Sequence, residues 1–255
     1  IKINGTLSGN KKIFFNEISL IENDNSFFIK DLNLDKKLKI SDIGILKLNY
    51  KNYNKVHNQL LLKKNKNNYT LTGDGFDASK IINELMEAED NNFSIFSNLN
   101  SKININIKKT YIDDLYFINN LIGNINYANN KINSLNLESI FPNNKELKLS
   151  IQTNSKNEKI TTLSSNYPKP LVRKYKFIKG FNGGNLNFRS IKKDGISNSL
   201  LIIDNFKVKE VPIFAKLLSL ASLQGVADLL TGEGIRFTDF EMKFQNKKGL
   251  MTIEE

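Results

Sequence analysis

The sequence predicts a mainly β protein, an antiparallel meander with one apolar face and a few short helices. Three observations predict it. Apolar and polar residues alternate with period two over many short segments. Turn-forming residues punctuate those segments at regular intervals. One stretch near the C-terminal end, Val211 to Phe244, breaks the pattern with a nearly all-apolar helical run, a Gly-Glu-Gly break and a strand.

The clearest strands are two. Ile103, Ile105 and Ile107 alternate with Asn104, Asn106 and Lys108, and Leu147, Leu149 and Ile151 alternate with Lys148, Ser150 and Gln152. Weaker alternation marks strands over 13–20, 27–34, 43–48, 60–64 and 132–137. The separating turns are Ser8-Gly9-Asn10, Asn23-Asp24-Asn25, Lys66-Asn67-Asn68 and Pro142-Asn143-Asn144. Leu201 and Ile203 belong to the same apolar set. Ile235 to Phe244 reads as a closing strand.

Three stretches have helical character. Asp77 to Glu89 puts Ile81, Ile82, Leu85 and Met86 on one side, with Asp77 as N-cap. Lys169 to Lys176 reads as a short basic helix. Pro212 to Leu230 carries only Lys216 and Asp228 as charges, with Pro212 suited to a first helical position and Gly232 to the residue past the end. Gly225 inside it allows either one helix or two. Its apolar side chains, Phe214, Leu217, Leu218, Leu220, Leu223, Leu229 and Leu230, need something apolar to touch. Gly183-Gly184 and Gly232 with Gly234 read as structural turns, since glycine accepts positive φ.

The chain of 255 residues carries 37 Lys and Arg against 26 Asp and Glu, a net charge of +11. The lysines are scattered, and Ile, Lys and Asn are abundant together while Cys and Trp are absent. That is the residue usage of an AT-rich coding sequence, so most of the charge is compositional and not a nucleic-acid footprint. Without cysteine there is no disulfide framework or thiolate chemistry. No run of eighteen uncharged apolar residues occurs. The chain opens in mid-strand style at Ile1 and stops at Glu255 just after a strand begins, and it reads as a piece of something longer.

Residues that could carry chemistry are few. Gly73-Asp74-Gly75 followed by a helix superficially resembles a dinucleotide fingerprint. Its aspartates would oppose a pyrophosphate, and the preceding Thr70-Leu71-Thr72 alternates where a central parallel strand is apolar throughout. The single histidine, His57, has no cysteine with which to build a metal cluster. The pairs Asp113-Asp114 and Glu87/Glu89 lie in polar surface sequence, and the sequons at Asn4, Asn68 and Asn92 are expected by chance in an Asn-rich chain. Nothing points to an enzyme, a cofactor or a metal. The densest basic stretch, Lys169 to Lys179 with Tyr167, Tyr175, Phe177 and Phe181 interleaved, lacks any named nucleic-acid motif.

Three segments carry a resemblance. Tyr69-Thr70-Leu71-Thr72-Gly73-Asp74-Gly75-Phe76-Asp77-Ala78, Leu171 to Leu186, and above all Phe206 to Phe237 with Leu217-Leu218-Ser219-Leu220-Ala221-Ser222-Leu223-Gln224-Gly225 and Leu229-Leu230-Thr231-Gly232-Glu233-Gly234-Ile235-Arg236-Phe237 resemble the carboxy-terminal region of the YhdP-type branch of the AsmA-like envelope proteins. Asn and Lys stand where relatives usually carry Gly, Arg and Asp. The resemblance implies a curved sheet forming an apolar groove, capped by the C-terminal helical element. It implies a division into a groove segment (1–166) and a hallmark segment (167–255). It also implies a periplasmic, non-enzymatic role in phospholipid transport, an inner-membrane anchor at the amino-terminal end of a longer protein, and envelope protein partners. On that reading the groove is lined by Ile103, Ile105, Ile107, Leu147, Leu149, Ile151, Leu201 and Ile203. The apolar side chains of 212–230 contact membrane, and Arg173, Lys174 and Lys216 meet headgroups. A closed sandwich with a dry core, serving as scaffold, predicts the same alternation and stays open beside it.

Overall fold

A computed structural model describes residues 2–8, 12–53, 55–82, 100–128, 131–175, 180–209, 234–247 and 249–254. Of these, 74% are strand, in open, mainly antiparallel sheet with few short helices. The chain divides into two compact units, residues 1–143 with 150–153, and residues 144–149 with 154–255. Strand β11 (Glu146–Thr153) therefore straddles the division. Strand β12 (Lys159–Ser165) hydrogen-bonds to β13 (Phe181–Lys193) along its whole length and lies in the second unit.

In the first unit β1 (Lys2–Ser8), β2 (Lys12–Glu22), β3 (Asn25–Leu34), β5 (Ile45–Lys51), β6 (His57–Asn65), β7 (Asn68–Asp77), β8 (Ser101–Tyr111), β9 (Phe117–Ala128) and β10 (Lys131–Ile140) pair in that order, and β4 (Ile40–Asp42) pairs with β3. Their pairings are antiparallel except one: β7 and β8 run parallel. A parallel pair needs a crossover and not a hairpin. The connection 78–100 supplies the length, and it starts as the sequence predicts. Asp77 Oδ1 accepts the Ser79 N–H at 3.0 Å, and Ile82 N–H donates to the Ala78 carbonyl at 2.9 Å. Residues 79–82 are helical, and the rest of the predicted helix, 83–89, lies outside the described residues.

In the second unit β12 (Lys159–Ser165), β13 (Phe181–Lys193), β14 (Ile196–Val208), β15 (Ile235–Lys247) and β16 (Leu250–Glu254) pair antiparallel in sequence order. The basic helix is present as Lys169–Tyr175. Pro168 and Pro170 at its start are fully buried, and Val172 inserts into the core of this unit. The predicted 212–230 helices, Gly232 and Lys216 lie outside the described residues, as do 176–179.

At three of the places where strict alternation fails, the sequence pattern is the same. Ile29-Lys30-Asp31-Leu32, Ile118-Asn119-Asn120-Leu121 and Ile203-Asp204-Asn205-Phe206 each carry an Asx with φ near +50° inside a strand. Asn and Asp tolerate this left-handed conformation far better than branched residues. The consequence is a change of phase. Ile29 and Leu32 are both buried although three residues apart, and so are Ile203 and Phe206. The partners shift with them. Phe15 and Ile18 face Leu32 and Ile29, and Gly183 and Leu186 face Phe206 and Ile203. On β15, Phe237 and Phe240 answer in turn, with Thr238 and Asp239 between them.

Candidate apolar binding face

Residues directly paired across neighbouring strands share a face. The register of the first unit therefore assembles rows. One runs Ile18, Ile29, Leu46, Leu62, Leu71, Ile105, Gly123 and Leu137 across eight strands. A second runs Phe27, Leu48, Leu60, Gly73, Ile107 and Leu121. At about 4.8 Å per strand step the first row is roughly 34 Å long. Gly73 sits where a Cβ would come within 2.5 Å of the Gln59 carbonyl oxygen, so only glycine allows that approach at the β6–β7 irregularity. The opposite face is polar over β8 to β10, where Asn104, Asn124 and Asn136 align.

The apolar residues of this face pack on one another along the sheet. Ile29, Leu32, Ile43, Leu62 and Tyr69 are buried together, with Ile18, Leu46, Leu71 and Ile103 half-buried against them. Tyr69 brings a polar group to this face, and it is anchored. Its hydroxyl donates to Asp42 Oδ1 at 2.7 Å and accepts the Ile43 N–H at 3.3 Å, while Lys64 Nζ meets Asp42 Oδ2 at 2.5 Å. Burial pushes the Asp42 carboxyl upward, but the hydrogen bonds from Lys64 and Tyr69 and the Lys64 charge outweigh it and hold the carboxyl below its ordinary value. Burial, then the Asp42 hydrogen bond, raises the Tyr69 phenol well above its usual range.

The second unit fills its apolar face differently. Val172, Phe181, Leu186, Leu201, Ile203, Phe206 and Val208 form a buried cluster. Phe206 stacks between Phe181 at 5.2 Å and Phe237 at 5.1 Å, and Phe188 lies over Phe244 at 6.4 Å. Such aromatic contacts add about 0.5–1.5 kcal/mol each beyond the area buried.

The eight residues predicted to line a groove all lie in alternating strands as expected, and they divide between the units. Ile103, Ile105, Ile107 and Ile151 fall in the first, Leu147, Leu149, Leu201 and Ile203 in the second. Ile107 and Ile151 are buried, Ile103 and Ile105 half-buried. Leu201 and Ile203 sit in the Phe-rich cluster, and Leu147 and Leu149 are half-buried. Gly183 and Gly184 are not at a chain reversal. They lie inside β13 with φ of 77° and 83°, Gly183 opposite Phe206 and Gly184 at the level of Asn205, where the strand changes phase. A Cβ on Gly184 would come 2.7 Å from the Asp204 carbonyl oxygen, whereas Gly183 has room. Gly234 has the expected positive φ, 95°. Arg173 is an exposed helix residue, Lys174 is helical, and Phe214, Leu217, Leu218, Leu220, Leu223, Leu229 and Leu230 lie outside the described residues.

The remaining polar candidates have structural duties. His57 is exposed, and its Nε2 hydrogen-bonds Asn49 Oδ1. Asp113 Oδ1 accepts the backbone N–H groups of Leu115 and Tyr116, closing the β8–β9 turn. Asp74 pairs with Lys108 at 2.7 Å on the surface. Phe181, one of the aromatics interleaved with the basic run, is core. Among the described residues no group of three metal-ligating side chains occurs, and no helix is long and apolar enough to cross a membrane. Comparison with protein-family profiles, curated proteins and solved structures finds no match to this chain.

Proposed function

We propose that this chain is a non-enzymatic lipid-binding segment whose apolar face carries phospholipid acyl chains, as part of transport between the inner and outer membranes of a Gram-negative envelope. One observation carries the reading: the row of Ile and Leu across β2 to β10, interrupted only by Gly123. Hydrocarbon laid along such a row meets hydrocarbon at nearly every strand, at about 25 cal/mol per Å² removed from water. The AsmA-like resemblance supports the same reading and adds a periplasmic location, an inner-membrane tether in the longer protein, envelope partners, and a 212–230 element that closes the groove. Arg173, Lys174 and Lys216 are then headgroup contacts.

Native mass spectrometry of gently purified chain tests it. Copurifying phospholipid is expected, and Ile105→Asp is expected to abolish loading while the thermal transition persists. Lipid-free protein at high sensitivity would favour the second reading, a periplasmic scaffold with a dry core. That reading draws on the second unit, where Ile203 is 0% exposed and Phe206 is clamped between two rings.

A further inference from the structure

Among the described residues of the first unit, six exposed large apolar side chains sit at one rim of the sheet: Leu20, Ile21, Tyr50, Tyr53, Ile81 and Leu115. Strand direction gathers them there. Strands β2, β5, β7 and β8 run toward this rim, and β3, β6 and β9 run away from it. The β2–β3, β5–β6 and β8–β9 connections therefore project from the same end, beside the start of the 78–100 crossover. The opposite rim carries Leu38 alone of this kind among the described residues. Single exposed apolar residues are ordinary on a protein surface. Their concentration on one rim marks that rim as a contact surface.

The most exposed of the six identify the kind of contact. Ile21 is 74%, Tyr53 80% and Leu115 60% exposed. They stand on three separate connections, roughly 10 and 14 Å apart along the rim at about 4.8 Å per strand step. A protein partner is held by a contiguous buried patch, whereas a bilayer interface is a plane that takes anchors one at a time. Tyrosine favours that interface, with its ring at the acyl boundary and its hydroxyl in water. Lys80 lies over the Tyr53 ring at 5.9 Å, and a long lysine can keep its ammonium in water while its stem covers apolar surface. The rim carries both signs of charge, Lys51, Lys55 and Lys80 beside Glu22, Asp24, Asp113 and Asp114. It is thus suited to a zwitterionic surface and not to an anionic one.

We infer that this rim docks the first unit on a zwitterionic membrane surface by seating Ile21, Tyr53 and Leu115 in the interface. The row Phe27, Leu48 and Leu60 is the aliphatic row nearer the rim, so docking brings the apolar face beside the bilayer. The inference stands on the exposed tips and does not require that face to carry lipid.

The chain has no cysteine, so Tyr53→Cys, Leu115→Cys and Leu38→Cys each give the whole chain a single site for an environment-sensitive fluorophore. The probe is phosphatidylcholine vesicles, in enough salt to screen the net charge of +11. Labels at 53 and 115 are expected to shift to the blue on adding vesicles and to be quenched by spin-labelled lipid, while the label at 38 stays unchanged. The unlabelled combination Ile21→Ser, Tyr53→Ser and Leu115→Ser is expected to lower vesicle partition by about ten-fold or more. Its thermal transition should match wild type, because all three side chains are exposed. No shift at 53 and 115, or an equal shift at 38, overturns the inference. So does vesicle binding that survives the triple substitution, which would place the contact elsewhere in the chain. Self-association of wild type without vesicles, lost in the triple variant, would make the rim a protein interface and overturn it too. Copurifying phospholipid is read separately by native mass spectrometry, so either result there leaves this test independent.

Discussion

The first unit tiles its apolar face with aliphatic side chains in straight rows; the second fills its own apolar face with phenylalanine. Both faces arise from the same register logic, and both change phase at an Asx with positive φ. The difference is in filling. In the first unit the half-buried members are mostly aliphatic, Leu46, Leu71 and Ile103 packed against buried Ile29 and Leu62; in the second they are mostly aromatic, Phe188, Phe237, Phe240 and Phe244 packed against buried Ile203 and Phe206. Branched aliphatics present a low, even surface on which another hydrocarbon can lie. Stacked rings consume the space above their own strands. Alternation alone specifies a face, and side-chain shape decides whether that face is finished.

The largest effect should come from the finished face. Phe206→Ala removes a ring stacked on two others and is expected to cost about 3–5 kcal/mol. Leu71→Ala on the half-buried row should cost less than about 2 kcal/mol, because part of its surface already meets solvent. Denaturant titration with hydrogen exchange resolved by unit checks this. Equal losses would mean that the two faces are packed alike.

Next comes Gly184→Val. It forces a branched residue to φ near 83° and drives a Cβ against the Asp204 carbonyl. A cost of about 2 kcal/mol or more is expected, against roughly 1 kcal/mol for Gly183→Ala, which has the conformational penalty without the clash. Thermal melts of the two variants separate crowding from φ.

A smaller effect is expected at the polar anchor of the first unit. Tyr69→Phe loses the hydrogen bond to Asp42 and should cost about 1 kcal/mol. The pH dependence has a definite sign. The Asp42 carboxyl is held low in the folded state despite its burial. Its contribution is therefore fully present above the ordinary carboxylate range, at about pH 4, and is lost as pH falls through the lowered folded value. Asp42→Asn should remove that acid-side loss, so its melting temperature should fall less steeply than that of wild type below about pH 4. Parallel slopes would show that the Asp42–Lys64–Tyr69 contact does not couple to folding.

Much of the strand pattern was legible. Ile103-Ile105-Ile107 and Leu147-Leu149-Ile151 alternate in the structure as in the sequence, the Asp77 cap and the Lys169 helix form, and Ile235–Phe244 is a strand. The parallel β7–β8 pair is not legible in the sequence, because local alternation carries strand propensity and says nothing about which strand lies alongside. Gly183-Gly184 reads as a turn for a related reason: glycine announces positive φ, but a phase change inside a strand needs it as much as a reversal does. The three Ile-x-Asx-Leu/Phe segments were the available signal. They look like defects in a period-two pattern, and only their recurrence marks them as a device. The smallest predicted effect concerns the Asx device. Asn120→Gly and Asn205→Gly should change stability by only a few tenths of a kcal/mol, since both residue types accept the left-handed conformation, whereas Asn205→Val should cost about 1–2 kcal/mol, differences that thermal melts resolve.

Because β13, β14 and β15 each place two outward residues at the same level, opposite one another, the length of one strand constrains that of its neighbours. Deleting Asn205 alone would restore period two in β14 and leave Phe206 and Val208 on the face of Ile203, but one residue out of register with Phe237 and Phe181 on the neighbouring strands, so an isolated single-residue deletion is ruinous. A matched set of deletions across the three strands would restore the face on both sides of the bend. Changes of length in this sheet must therefore be inherited in groups, and descendants of such a chain should differ by whole levels of the ladder and not by single residues.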